Sequence, residues 1–302
     1  MSIPIGFIGL GTMGSIIANR LLLSGNSLYV WNRTKNKCDP LVSAGAKMTN
    51  TPAELAELTD IIFTMTTDSA ASADIIFGKS GIMSAAKKEL IIIDCASIAP
   101  DASRFHAAKA EKEGVAILDA PVSGGPKVAE SGSLGIMVGG SKVAFDKTKH
   151  ILEELGTLVL YTGPSGNGTT LKLIANLIMG VTIQASAEAL TLASKVGIDP
   201  QMVIDITALP GTGPQTGAMA TRGPRMISND FFPPHFSANN MHKDLTEALK
   251  LGHTFGVPLP TAISSLEILD DLIKRGNGMI DSSAIITVMH ELVNSSKKPS
   301  QD

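Results

Sequence analysis

The chain has 302 residues, 44% of them hydrophobic and 18% charged, with a formal net charge of −3. That length is enough for a well-buried core and for two domains. No basic block appears, so there is no electrostatic footprint for nucleic-acid binding, and no run reaches the ~18 apolar residues of a membrane span.

The first apolar run, "IPIGFIGL" (3–10), is interrupted by Gly6 and Gly9 and lacks the basic start and small-residue cleavage site of a signal peptide. It reads as a strand. So do "SLYVWN" (27–32), "DIIFTM" (60–65), "LIIIDCAS" (90–97), "VAILDAPV" (115–122), "LGIMVGG" (134–140) and "TLVLYTG" (157–163). The first of these are nearly continuous apolar runs, which suits a parallel sheet covered on both faces. Helical spacing between them, at 13–24 and 101–113, completes the signature of a Rossmann-type, doubly wound α/β domain over residues 1–162.

After "YTGPSGNG" the strand signal stops. Residues 163–302 are expected to form an all-helical second domain that begins with a long interdomain helix. Its pattern runs over 169–195 and ends at Gly197, and Asp199 and Pro200 then restart a helix as cap and first residue. Helical patterns recur at 218–228, 239–255, 261–275 and 282–295. "PGTGPQTG" (210–217) and "NDFFPPHF" (229–236) are the long irregular segments, a type of loop that is often functional. The polar tail "NSSKKPSQD" is expected to fray. Cys38 and Cys95 stand far apart and fit no disulfide framework. Both are read as reduced thiols of a cytoplasmic protein. His106, His150, His235, His242, His253 and His290 form no HxxxH or HxH pair, so no metal site is expected.

"GLGTMG" places Gly9, Gly11 and Gly14, with Thr12 and Met13 between them, directly after the first strand and at the start of the first helix. In that context the motif reads as a dinucleotide site. The first glycine permits the tight turn, the second lets backbone approach a pyrophosphate, and the third allows close helix–strand packing. The helix N-terminus offers N–H groups and partial positive charge to phosphates. An acid at the end of the second strand would bond the ribose hydroxyls of NAD(H). Here Asn32 stands at that position, followed by Arg33 and Thr34. A guanidinium suits a 2′-phosphate, and the missing carboxylate removes a repulsive charge. NADP(H) is therefore expected in preference to NAD(H).

At this point the chain resembles the β-hydroxyacid dehydrogenases over essentially its whole length. The motifs that carry the resemblance are "GFIGLGTMG" (6–14), "DAPVSGG" (119–125), "GPSGNGTTLKLIAN" (163–176) and "HKDL" (242–245). Within that family, "VWNRT", "GNGTTLKLIANLIMG" and "PPHF" look most like the NADPH-dependent glyoxylate/succinic semialdehyde reductases. The resemblance implies that Ser123, Gly124 and Gly125 hold a substrate carboxylate. A serine hydroxyl beside glycine N–H groups makes a fitting anion-binding concavity. It implies Lys172 as the catalytic residue with Asn176 beside the substrate, and Lys243, next to Asp244, on the cofactor side. Met65 and Ser97 fall where the family contacts the cofactor. The chain departs from the family's usual segments with Asp94-Cys95-Ala96-Ser97 and with "TMTTD" at 64–68. A homodimer or homotetramer is also implied.

Lys172 and Asn176 share a helix face at i, i+4, and the same row continues through Gly180, Gln184 and Glu188. This polar or small stripe is expected to face a cleft between the domains. The expected reaction is hydride transfer between a nicotinamide and the carbonyl carbon of a small carboxylate-bearing aldehyde, with Lys172 giving a proton to the oxygen as negative charge develops. An ordinary lysine, with a pKa near ~10.4, carries the proton that reduction needs at neutral pH. The alternatives are a 3-hydroxyisobutyrate or tartronate semialdehyde-type dehydrogenase, an imine reductase-like enzyme, and a non-catalytic NADPH-binding sensor. Imine reductases typically replace the lysine that is intact here.

Overall fold

A computed structural model of the chain describes residues 3–207 and 217–295. "PGTGPQTG", Gly217 aside, and the tail from residue 296 lie outside the described residues. The chain divides into two compact units, Met1–Lys172 and Leu173–Asp302.

The first unit runs β1 (Pro4–Ile8), α1 (Thr12–Leu23), β2 (Ser27–Trp31), α2 (Asp39–Ser43), β3 (Lys47–Met48), α3 (Pro52–Leu58), β4 (Ile61–Thr64), α4 (Ser69–Phe77) and β5 (Ile91–Asp94). It continues with α5 (Pro100–Glu111), β6 (Ala116–Asp119), β7 (Val122–Ser123), α6 (Pro126–Glu130), β8 (Gly135–Gly139), α7 (Lys142–Glu153), β9 (Leu158–Gly163) and the first turns of α8 (Asn167–Lys195). Each of the seven apolar runs read as a strand contains one. The strands form one sheet in the order β3-β2-β1-β4-β5-β6-β8-β7, with β9 on β8. From β3 to β6 all pairings are parallel, the doubly wound order. β8 then pairs antiparallel with β6 and β7, a direction that an apolar run does not disclose.

Burial explains the pattern. Ile61–Thr64 and Ile91–Asp94 are buried at every position because helices cover both faces. One face carries Phe7, Phe63, Ile93 and Leu118 against Ile17 and Leu21 of α1 and Ile151 of α7. The other carries Ile8, Ile62, Ile92 and Ile117 against Leu55 of α3, Ile76 of α4 and Ala110 of α5. Each such side chain contributes about 1.5–3 kcal/mol when fully buried. β3 ends the parallel order as a two-residue exposed strand with Lys47, too short and polar to read from sequence.

Register matters most at the carboxyl ends of the strands. Ile8 pairs with Thr64, Thr64 with Asp94, and Asp94 with Asp119, giving one transverse row across β1, β4, β5 and β6. Three polar residues thus cap the second apolar layer along one edge of the sheet.

The second unit holds the rest of α8, then α9 (Pro200–Thr207), α10 (Ala218–Ser228), α11 (Ala238–Thr254), α12 (Pro260–Lys274) and α13 (Ile285–Ser295). Its core gathers Ile183 and Leu190 of α8, Met226, Met241, Leu245, Leu269, Leu272 and Val288. Asp199 caps α9 as expected, accepting the Gln201 N–H at 2.9 Å. An 18-residue window of α8 has a mean hydropathy of 1.4, so by length and composition this helix passes as a membrane span although no unbroken apolar run does. Its apolarity has a local cause, because Ile183, Ala187 and Leu190 fill the core of the unit.

Candidate active site

The glycine turn joins β1 to α1 at the point where the strand order reverses between β1 and β4, the usual ligand crevice of such sheets. Gly9 has φ +100°, and a Cβ there would collide with the Met65 carbonyl at the end of β4. Gly14 brings α1 so close that a Cβ would collide with the Gly9 carbonyl. Gly11 differs from both. Its φ is −78° and a Cβ would meet nothing within 4 Å, so no contact within the described chain demands a glycine there. α1 has no side-chain cap and no acid in its first turn, and Thr12 is exposed while Met13 packs on the core. An uncapped helix start beside open space fits a dinucleotide pyrophosphate.

Asn32 follows β2 and spans two loops. Its Oδ1 accepts the Leu10 N–H at 2.8 Å, and its Nδ2 donates to the Thr34 carbonyl at 2.8 Å. The amide therefore ties the glycine turn to the Arg33–Thr34 turn, work that an aspartate does only by half, because it lacks the donor. Arg33 is exposed and has no hydrogen-bond or ion-pair partner among the described residues.

Further along the same edge, Ser97 follows β5 and Ser123 ends β7. Ser123 is exposed, and its hydroxyl makes no hydrogen bond among the described residues. Gly124 has φ +129°, and Gly125 has open space at its Cβ position. The first unit thus sets Gly9–Gly14, Asn32–Thr34, Met65 and Ser97 after the neighbouring strands β1, β2, β4 and β5, with Ser123–Gly125 at the end of β7, which pairs with β8.

Two acids on that edge are structural in a way their motifs do not announce. Asp94 is 2% exposed and accepts from Ser72 Oγ at 2.7 Å, Thr64 Oγ1 at 2.9 Å and the Ala96 N–H at 3.1 Å. Asp119 accepts from the Gly166 N–H at 2.8 Å and the Thr169 N–H at 2.9 Å. Burial pushes both carboxyls up, and their donors pull them down. An acid closing a buried apolar run, as in "IIID" and "AILD", is the sequence signal that marks such residues. Burial also pushes the Cys38 and Cys95 thiols up, away from the nucleophilic thiolate.

Lys172 sits in the second turn of α8, 9% exposed. The row beyond it packs within the second unit. Asn176 Nδ2 donates to Asp244 Oδ2 of α11 at 2.5 Å. A Cβ on Gly180 would meet Leu245 and Met241 of α11 at 3.0 Å. Gln184 Nε2 bonds Glu188 at 2.8 Å and Met289 Sδ of α13 at 3.4 Å. Asn176, Gly180 and Gln184 thus make contacts with α11 and α13 inside the second unit. Lys243 Nζ lies 3.5 Å from Asp244 Oδ1, and Asp244 is fully buried.

The "NDFFPPHF" segment is fastened inside the second unit. Asp281 accepts from the N–H groups of His235 at 2.8 Å and Phe236 at 3.3 Å and from Ser283 Oγ at 2.7 Å, with Arg222 Nε at 3.5 Å. Arg225 donates to the Asp230 and Pro233 carbonyls. Sequence reading singled out neither Asp281 nor Arg222, since their pairing spans distant segments.

Comparison with known proteins places this geometry in a family. Residues 4–163 match the NAD binding domain of 6-phosphogluconate dehydrogenase, and residues 166–289 match the NAD-binding domain of NADP-dependent 3-hydroxyisobutyrate dehydrogenase. The chain is 34% identical over 291 residues to 2-(hydroxymethyl)glutarate dehydrogenase of Eubacterium barkeri, covering 96% of each chain. It is 33% identical over 289 residues to the chloroplastic glyoxylate/succinic semialdehyde reductase 2 of Arabidopsis thaliana, covering 95% of this chain and 80% of that one. The crystal structure of a 3-hydroxyisobutyrate dehydrogenase from Salmonella typhimurium superposes with a TM-score of 0.87 at 27% identity, covering 95% of this chain and 100% of that one. The chain belongs to the β-hydroxyacid dehydrogenase family of NAD(P)-dependent oxidoreductases.

Proposed function

We propose that this protein is an NADPH-dependent reductase of a small carboxylate-bearing aldehyde, glyoxylate or a semialdehyde, giving the corresponding hydroxyacid. The observation that carries the reading is the placement of Lys172, nearly buried in the second turn of α8, behind a first turn that is hydrogen-bonded to the end of β6. The Ser123–Gly125 loop follows a few residues further along the chain, at the end of β7. Bound at the glycine turn, the nicotinamide cofactor supplies the hydride chemistry.

The chain does the rest. Gly9, Gly11 and the uncapped start of α1 receive the pyrophosphate. Arg33, held in its turn by Asn32, bonds the 2′-phosphate with a planar fork, and Thr34 borders it. Ser97 takes the ribose beside the nicotinamide, and Lys243 closes over the cofactor side. The Ser123 hydroxyl and the N–H groups of Gly124 and Gly125 hold the substrate carboxylate, which fixes where the carbonyl falls. Asn176 borders the substrate. Lys172 Nζ donates a hydrogen bond to the carbonyl oxygen, stabilises the charge that develops there and then gives up its proton. In the oxidative direction the same nitrogen takes the proton.

A cytoplasmic location and a homodimer or homotetramer are part of this reading. Ile174, Ile178, Leu192 and Val196 of α8 and its exit, with Met202 of α9, are exposed and fit a second copy of the chain. Sedimentation as a monomer at assay concentrations removes that element.

The test is Lys172→Ala. NADPH binding stays nearly intact while kcat falls by about a hundredfold or more, as loss of a general acid and charge stabiliser typically does. Near-normal turnover refutes the assignment. A panel of glyoxylate, succinic semialdehyde, methylmalonate semialdehyde and tartronate semialdehyde, run with NADPH and NADH, identifies the substrate.

A further inference from the structure

We infer that Asp119 is the positioning residue for Lys172, acting as an N-cap for α8 supplied from a different element. The inference rests on the proposed role of Lys172. Gly166, with φ +88°, immediately precedes α8 and has no side chain to cap it. A capping side chain normally accepts the N–H of the second or third helical residue. Here Thr169, the third residue of α8, gives its N–H to Asp119 Oδ2, and Gly166 gives its own to Oδ1. Thr169 Oγ1 adds a longer contact of 3.4 Å. A carboxylate at the start of a helix also meets the positive end of its dipole.

The surroundings are shaped around this carboxylate. A Cβ on Gly139 would lie 2.7 Å and 2.9 Å from its two oxygens, and a Cβ on Gly168 would lie 2.9 Å from Oδ2. Both positions therefore need glycine while the carboxylate is there. Asp119 is 3% exposed and has Asp94 as its register neighbour on β5, so holding it there works against both desolvation and like charge. An arrangement kept against that opposition implies a benefit other than stability.

That benefit is alignment. Asp119 ends β6 and begins "DAPVSGG", so it anchors the start of the short stretch that leads to the carboxylate-holding loop at the end of β7. Thr169 and Lys172 are three residues apart on one helix face. Helical side chains lean towards the N-terminus, which carries Lys172 over the turn that Asp119 clamps. Two hydrogen bonds accepted by one side chain thus set the spacing between proton donor and substrate loop. A misplacement near 1 Å is enough to lower a rate by about a hundredfold.

Asp119→Asn keeps the size and one acceptor but turns an amide N–H toward a backbone N–H. The expected result is a kcat about tenfold to a hundredfold lower, with NADPH binding by fluorescence unchanged and substrate KM rising less than kcat falls. In a Lys172→Ala background the same substitution changes the residual rate by less than about twofold, because the group it aligns is gone. Equal losses in both backgrounds overturn the inference and leave the Lys172 reading standing. Normal turnover of Lys172→Ala alone overturns both. Should Asp119→Asn not fold, amide exchange in the wild-type protein decides. Gly166 and Thr169 amides exchange at least about tenfold more slowly than exposed loop amides if the clamp exists, and unprotected exchange at both overturns it.

Discussion

Gly11 and Gly14 sit three residues apart in one motif, yet the structure assigns their substitutions opposite outcomes. Gly14→Ala places a methyl against the Gly9 carbonyl, which is backbone and moves only if α1 does. Overpacking of this kind destabilises by about 1–3 kcal/mol, and in a unit of this size each kcal/mol lowers Tm by about 2–4 °C. Gly11→Ala meets nothing within 4 Å and has an ordinary φ of −78°. Alanine at a helix N-cap is poorer than glycine by some tenths of a kcal/mol, while the stiffer unfolded chain returns about 0.4–1 kcal/mol. The apo protein should therefore melt within about 2 °C of wild type. Cofactor binding separates the variants the other way. In wild type, NADPH at about a hundred times its Kd adds about 2.7 kcal/mol to stability. A methyl in the space proposed for the pyrophosphate removes most of that increment from Gly11→Ala. Thermal melts of both variants with and without NADPH measure both quantities. An intact NADPH-induced rise in Gly11→Ala refutes the placement of the pyrophosphate at this turn.

Arg33→Ala should raise KM for NADPH by about tenfold or more, the equivalent of a charge-assisted hydrogen bond, and leave KM for NADH nearly unchanged; equal changes for both cofactors refute the 2′-phosphate contact. Asn32→Asp keeps the acceptor for Leu10 but loses the donor to Thr34 and adds a charge. Steady-state kinetics should show the NADPH-to-NADH preference falling by about tenfold. Asp281→Ala leaves Arg222 and three backbone N–H groups without their acceptor and should cost about 3–5 kcal/mol in urea unfolding at neutral pH. Burial alone would raise the Asp281 carboxyl, but the Ser283 hydroxyl, the Arg222 guanidinium and the Ser283 and Phe236 N–H groups together hold it below its ordinary 3.8. A depressed carboxyl stabilises the fold above the unfolded pKa, and that contribution disappears as pH falls through the folded value. The gap between wild type and Asp281→Ala should accordingly narrow below pH 3.8, and a constant gap counts against the network.

Much of the fold was legible because the signals are local and strong. Runs such as "DIIFTM" and "LIIIDCAS" leave few alternatives to a strand buried on both faces, and the 3.6-residue spacing from 169 to 195 marks α8 almost to the residue. The short elements β3, α2 and α6 were not legible, since two to five residues hold too little periodicity. The polar row from Lys172 was visible as a pattern, but its partners were not. Asn176 and Gly180 pack on α11, a partner that lies far along the chain.

By itself the sequence determined the class of the first unit, the glycine turn and the absence of an acid after β2, because each depends on residue type within a few positions. It also determined that a lysine would sit near the start of an apolar helix. The tertiary structure decided everything that depends on register and distant partners. It put Thr64, Asp94 and Asp119 in one row, turned Asn32 into a link between two loops, and made Asp119 the cap of a helix that begins dozens of residues later. Hydrogen bonds between distant segments form only once strands are ordered and paired, and that order is a property of the folded sheet.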